Sequence, residues 1–164
     1  MPTLQTAFLK VVDRTANRLH PFGFTRWGLV MRLMAEGNAA IVSFQKSIYA
    51  DADQLEFTIN LSIVCGRLWT QEARPLSLAR EVDGHLQERI GFLLDEPDDV
   101  WWSIEPGTDG DRLADEVSDL VATSAVPYLR QYLTTEALIE LWASGESPGM
   151  TNIQRERFLR QLRS

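Results

Sequence analysis

A chain of 164 residues is the length of one domain, and 45% hydrophobic with 24% charged residues is the composition of a globular protein. A net charge of −7 makes nucleic acid an unlikely partner, because phosphate neutralisation needs a dominant basic surface. One cysteine excludes an intramolecular disulfide, and two histidines beside it disfavour structural zinc, so we expect no metal and no cofactor. No apolar run reaches the roughly 20 residues of a membrane span, and no basic leader is visible; we expect a cytoplasmic protein without membrane contact.

The first part of the chain predicts a helix followed by antiparallel strands. Apolar residues at helical spacing favour a helix over Leu4–Leu19, with Thr3 as its N-cap. Alternating apolar and polar residues predict strands over residues 24–34, 39–47 and 55–63. A Glu-Gly-Asn sequence between the first two strands is typical of a hairpin turn.

The second part predicts two further strands and then only helices. The strands cover residues 88–94 and 100–104. Asp109 is placed to cap a long helix over residues 111–133, in which Pro127 should cause a kink or a break. Two shorter helices follow, and the last of them is basic.

Segregated helices and strands predict an α+β fold. We expect an N-terminal helix, an antiparallel sheet of about five strands in a meander, and C-terminal helices packed on one face of the sheet. Residues 1–146 should form a single domain, with the loop and basic helix of residues 147–164 packed on it.

The charge is unevenly distributed. Residues 81–119 contain thirteen acidic residues against two arginines, whereas the first 35 residues and the last ten are basic. The simplest interpretation is that the acidic middle docks on the basic ends or is a solvated face; the alternative is an acidic patch for a basic partner.

Strand alternation also predicts a polar face on the far side of the sheet. Phe57 and Ile59 should face the helices, so the residues between and beside them face away. The exposed face predicted in this way consists of Arg26, Arg32, Ser43, Gln45, Ser47, Thr58, Asn60 and Ser62. Short amides and hydroxyls beside arginine suit specific hydrogen bonding. The competing interpretation is that loops or the C-terminal helix cover this face and satisfy its polar groups internally.

Three further residues are candidates for a functional role. Trp101 and Trp102 are adjacent in a strand, so one indole should enter the core and the other should lie on the polar face as an anchor. A bulge that lets both pack in the core is the alternative. His85 lies among acidic residues that favour its protonated form, which fits a surface imidazolium as well as a general base.

No catalytic signature is present: the chain has no nucleophile elbow, phosphate loop, dinucleotide fingerprint or zincin motif. The sequence therefore favours a non-enzymatic protein-interaction or binding module, with binding residues Arg32, Gln45, Ser47, Thr58, Asn60, Arg89, Trp101 and Trp102. One alternative is an enzyme or sensor that holds a small anionic ligand with Arg32 and Arg89. Another is a structural homodimer joined through the sheet face or an edge strand.

Several short blocks in order match a known family pattern. They are Pro-Phe-Gly-Phe at 21–24, Ser-Phe-Gln-Lys-Ser at 43–47, Phe-Thr-Ile-Asn-Leu at 57–61, Arg-Ile-Gly-Phe at 89–92, Trp-Trp at 101–102 and Pro-Tyr-Leu at 127–129. With them the chain resembles the bacterial proteins of domain-of-unknown-function family 4304 over about residues 4–142. Ser62 departs from the pattern, which leads us to expect glycine there. The resemblance implies a stand-alone cytoplasmic bacterial α+β domain and passes on no catalytic residue.

Overall fold

Helix α1, Leu4–Leu19, opens the chain in the computed structural model, which describes residues 3–70, 74–146 and 148–164. The helix begins where the Thr3 hydroxyl accepts a 3.0 Å hydrogen bond from the Thr6 amide. It ends before Pro21, in a short 3₁₀ turn. Its buried face, which includes Phe8 and Val12, packs against the sheet in the hydrophobic core.

Six antiparallel strands form one sheet. They are β1 Thr25–Trp27, β2 Val30–Ala35, β3 Asn38–Lys46, β4 Leu55–Cys65, β5 Leu86–Arg89 and β6 Trp102–Ile104. The first five follow one another as a meander, and β6 pairs with β4 on the same edge as β5. The predicted α+β fold, with its antiparallel meander and its C-terminal helices, is confirmed.

Residues 24–34 are two strands and not the single strand that their alternation predicts. Gly28 adopts a φ of +61°, which starts a tight hairpin and turns the chain back so that Trp27 pairs with Val30. The turn reverses the side-chain alternation before it. Arg26 therefore lies on the helix side, paired with Asp13 of α1, and its predicted place on the polar face is wrong. Trp27 takes the polar side instead.

The remaining helices are α2 Gly110–Leu120, α3 Val126–Gln131, α4 Thr135–Ala143 and α5 Asn152–Arg163. A π-helical turn, Val121–Ala125, joins α2 to α3 without a break. A proline clashes with the carbonyl four residues earlier in an α-helix, and the wider π turn just before Pro127 relieves that clash. Short 3₁₀ turns occupy Gly66–Leu68, Leu76–Leu78, Glu81–Asp83 and Ile90–Leu93.

Part of the acidic middle docks on the basic N-terminal helix, because α2 lies parallel to α1. Arg14 bonds both Asp111, at 3.0 Å, and Asp115, at 2.5 Å, and one turn further on Arg18 bonds Asp119 at 2.8 Å. The arginines of α1 and the aspartates of α2 recur every four residues, so they lie along the facing sides of the two parallel helices.

Helix α5 packs on α4 and on the end of β4 instead of on acidic residues. Leu162 is buried, Phe158 lies against Trp142 at 5.6 Å between ring centroids, and Arg67 donates to the Leu162 carbonyl. Ser147, at the predicted boundary between the domain and the C-terminal loop, lies outside the described residues. Within the described ranges no helix is both long and apolar enough to cross a membrane.

Candidate binding surface on the far side of the sheet

Half of the predicted polar face is covered. The segment 74–84 crosses the back of the sheet, and its Ala79 joins Ile41 and Val64 in a small second apolar cluster. Thr58, Ser62 and Asn60 are 0%, 1% and 8% exposed, so their predicted exposure is wrong. We call residues 74–84 and Val100 together the covering chain. No hydrogen bond described for Thr58, Ser62 or Arg32 involves the C-terminal helix.

Backbone carbonyls of the covering chain satisfy the polar groups beneath it. Thr58 Oγ1 donates to the Val100 oxygen at 2.7 Å, and Ser62 Oγ donates to the Glu81 oxygen at 2.7 Å. Arg32 Nε donates to the Ala79 oxygen at 2.7 Å, and its partial burial lowers the pKa of the guanidinium. The interpretation that loops cover part of this face therefore holds for these three residues.

The other half of the face is partly open along one row of paired residues, in which Asn60 itself is buried. The strand register places Trp27, Val30, Ser43, Asn60 and Arg89 side by side across β1 to β5. Four strand spacings of about 4.8 Å make this row about 19 Å long. Trp27, at one end, is 80% exposed.

Side chains, and not backbone, bind one another along this row. Asn60 Nδ2 donates to Gln45 Oε1 at 2.7 Å, and Arg89 Nε donates to Asn60 Oδ1 at 3.1 Å. Arg89 Nη1 also donates to both carboxylate oxygens of Asp99, at 2.8 and 2.9 Å. Trp101 Nε1 donates to the same carboxylate at 3.2 Å, and the Arg89 guanidinium lies 5.3 Å from the centre of the Trp101 ring.

The network is electrically balanced. The hydrogen bond from Arg89 holds the pKa of Asp99 below its usual value, so this carboxylate is charged at neutral pH. Burial raises the pKa of Glu81, and the nearby Arg89 opposes that rise. Since Gln45 and Asn60 are both neutral, the row presents rigid hydrogen-bonding groups with little net charge.

We call this region the candidate surface: Trp27, Val30, Ser43, Gln45, Asn60, Arg89, Asp99 and Trp101. Four of the predicted binding residues, Gln45, Asn60, Arg89 and Trp101, belong to it. The structure does not bring Arg32 to Arg89, because β3 and β4 lie between their strands.

The remaining predicted binding residues lie elsewhere. Thr58 is buried under Val100, and Ser47 closes the turn after β3, where its hydroxyl accepts from the Tyr49 amide at 3.2 Å. Trp102 stacks on Phe57 of the core at 5.4 Å, so the two adjacent indoles do lie on opposite sides.

Sequence reasoning missed Trp27 and Asp99. The signal for Trp27 was the glycine that follows it, since glycine at the first position of a two-residue turn is typical of a hairpin. Asp99 is one of several acidic residues in a polar turn of the sequence. Only the fold shows that it is the one that forms an ion pair with Arg89.

His85 is not a surface imidazolium. Its Nδ1 accepts from the Cys65 amide at 2.9 Å, and burial lowers its pKa to about 4, against the opposing effect of Asp83. Within the described residues no three histidine, cysteine or acidic side chains group together as they would around a metal ion.

The fold and this surface define an α+β protein whose single sheet carries a helix layer on one side and a partly open, hydrogen-bonded polar row on the other. The chain belongs to the family described as domain of unknown function DUF4304, whose model matches residues 15–131. The resemblance seen in the sequence is thereby confirmed. No curated protein and no solved structure matches the chain.

Proposed function

We propose that this protein is a non-enzymatic interaction module, cytoplasmic and bacterial, that binds a protein partner on the candidate surface. The observation that carries the proposal is the 80% exposure of Trp27 beside a row of polar groups already held in place. Tryptophan and arginine are the residues that most often dominate binding energy in protein interfaces. A side chain held in advance loses less entropy when a partner binds.

Free donors remain for a partner. Gln45 is exposed, and its Oε1 is already the acceptor for Asn60, so its Nε2 hydrogens point to solvent or to a bound group. The indole of Trp27, on β1 at the end of the row, offers apolar area two strands away from Gln45 on β3. The combination of an apolar anchor and fixed amide donors suits an extended protein segment with exposed carbonyl oxygens.

Site-specific photo-crosslinking in the source cells tests this proposal. Trp27 is replaced by benzoyl-phenylalanine in the full chain, and the matched control carries the same crosslinker in place of Leu9, which is 38% exposed on α1, on the helix side of the sheet. We expect one discrete adduct from position 27 that the control does not form. The double substitution Gln45→Ala and Arg89→Ala in the crosslinker chain should reduce that adduct several-fold.

Two results would contradict the proposal. One is the same set of adducts from positions 27 and 9, which would indicate random collisions. The other is an adduct from position 27 that the double substitution leaves unchanged in a chain shown by circular dichroism to be folded.

A further inference from the structure

The outward face of α5 carries positive charge that the rest of the fold leaves unpaired. Arg157, Arg160 and Arg163 are exposed, and within the described residues none of them forms an ion pair. Among the described residues, eight other cations do form ion pairs. Ile153, 79% exposed, lies on the same helix face, since residues four and seven positions apart align.

A matching acidic patch lies after β5, in the turn that follows residues 90–93. Asp95, Glu96 and Asp98 are exposed, and in the described part of the chain they too form no ion pair. Phe92, 47% exposed, precedes them as the apolar neighbour. Each patch therefore combines three unpaired charges of one sign with one exposed apolar side chain.

The charges of neither patch extend over more than about 10 Å of backbone. The helix rises about 9 Å from Arg157 to Arg163. The chain from Asp95 to Asp98 would span about 10 Å if it were fully extended, and because it bends it spans less. Among the described contacts, the arginines of α5 bind α4 and Glu156 of the same helix, and none binds the acidic turn of the same chain.

We propose that the basic face of α5 (Ile153, Arg157, Arg160 and Arg163) docks on the acidic turn (Phe92, Asp95, Glu96 and Asp98) of a second copy of this chain. The whole chain carries −7, although α5 itself has four arginines against one glutamate. Two copies that each carry −7 also repel each other, so the proposal requires the local pairing of the two patches to outweigh that repulsion. The acidic turn of a second copy supplies the three exposed carboxylates that pair with the three arginines.

Because every copy carries both patches, a two-fold dimer makes the contact twice, whereas a geometry that does not close produces longer assemblies. The contact is small and mostly ionic, so its strength depends on screening. The Debye length falls from about 30 Å at 0.01 M salt to about 3 Å at 1 M. Salt also screens the repulsion between two copies that each carry −7, so association is compared at a fixed salt of about 0.15 M, where the Debye length is about 8 Å.

Sedimentation velocity of the full chain tests the proposal by charge reversal. Variant H carries Arg157→Glu with Arg160→Glu, and variant T carries Asp95→Lys with Glu96→Lys. Each variant alone should remain at the 18.6 kDa monomer, because both of its patches then have the same sign. An equimolar mixture of H and T should associate again, since each patch of one variant is complementary to a patch of the other.

The matched control changes the same amount of charge elsewhere, with Arg112→Glu and Arg130→Glu, and should associate like the wild type. A wild-type chain that stays monomeric at high concentration and about 0.15 M salt overturns the proposal. So does a mixture of H and T that fails to associate although both variants are folded. If the wild type is monomeric and H alone loses affinity for duplex DNA or for phosphatidylserine vesicles, the face serves that anionic partner and the proposal is wrong.

Discussion

The first prediction concerns acid and the buried His85. Its Nδ1 accepts from the Cys65 amide at 2.9 Å, and its ring lies edge-on to Phe158 of α5 at 5.1 Å. The imidazole is therefore neutral in the folded protein and joins the end of β4 to the C-terminal helix. A second proton would remove the acceptor on Nδ1 and place a charge in this contact.

The pKa of His85 falls from 6.5 to about 4 on folding, chiefly because burial disfavours the charged form. Between these two values the unfolded chain binds more protons than the folded one, so the free energy of unfolding decreases as the pH falls. The loss begins near pH 6.5 and is complete near pH 4. It amounts to about 2 kcal/mol by pH 5 and about 3 kcal/mol in full.

Urea unfolding of the wild type and of His85→Gln, measured from pH 7.5 to pH 5, isolates this contribution. Gln is uncharged throughout and still offers one donor and one acceptor. Subtracting the two curves removes the carboxylates, including Glu81 and Glu88, whose raised pKa values act in the opposite direction. The difference should fall by about 2 kcal/mol over this range. The matched control, His20→Gln, changes an exposed histidine at the end of α1.

Parallel curves for the wild type and His85→Gln would refute this reasoning. A proton NMR titration gives an independent reading, because the ring protons of His85 should not shift above about pH 5. A midpoint near 6.5 for that ring would show that burial does not disfavour its charged form.

Three other predictions concern stability and can be measured by urea unfolding. Glu36 has a φ of +57° in the turn before Gly37, where Asn is better accommodated, so Glu36→Asn should stabilise the fold by about 0.5–1 kcal/mol; no gain would contradict the turn geometry. Thr58→Val removes the donor to the Val100 carbonyl and should cost about 1–2 kcal/mol, whereas Thr25→Val, at an exposed position, should cost far less. Trp27→Ala should change the free energy of unfolding by less than about 0.5 kcal/mol, because its indole is mostly in solvent; a larger loss would show that the indole supports the fold.

Periodicity was enough to predict the central part of the fold. The five apolar residues that alternate along β4 all point into one core, and Thr3 caps α1 as its position predicts. The prediction failed where one residue changed the alternation. The sequence is compatible with Gly28 in a strand or in a turn. A turn at Gly28 places Arg26 on the helix side and Trp27 on the polar side, whereas a continuous strand would place each of them on the other side.

The cover over the polar face was beyond sequence reasoning for a different reason. Residues 74–84 contain only short 3₁₀ turns in the described structure, and such turns have no hydrophobic period that a sequence pattern reveals. In the sequence, the short amides and hydroxyls of this face favour the binding of a partner. A face that the protein covers with its own chain uses the same groups, because the covering backbone supplies their hydrogen-bond partners.

The chemistry of each hydrogen bond separates the two halves of this face. Under the cover, Thr58, Ser62 and Arg32 donate to backbone carbonyls, which belong to the covering chain and stay fixed when side chains change. In the partly open row, the side chains of Asn60 and Arg89 bind other side chains, Gln45 and Asp99, and not the backbone of the covering segment. Substitutions in the covered half therefore act on folding. Substitutions in the exposed part of the open row, at Trp27 or Gln45, should act on recognition, because the fold uses little of what these side chains offer.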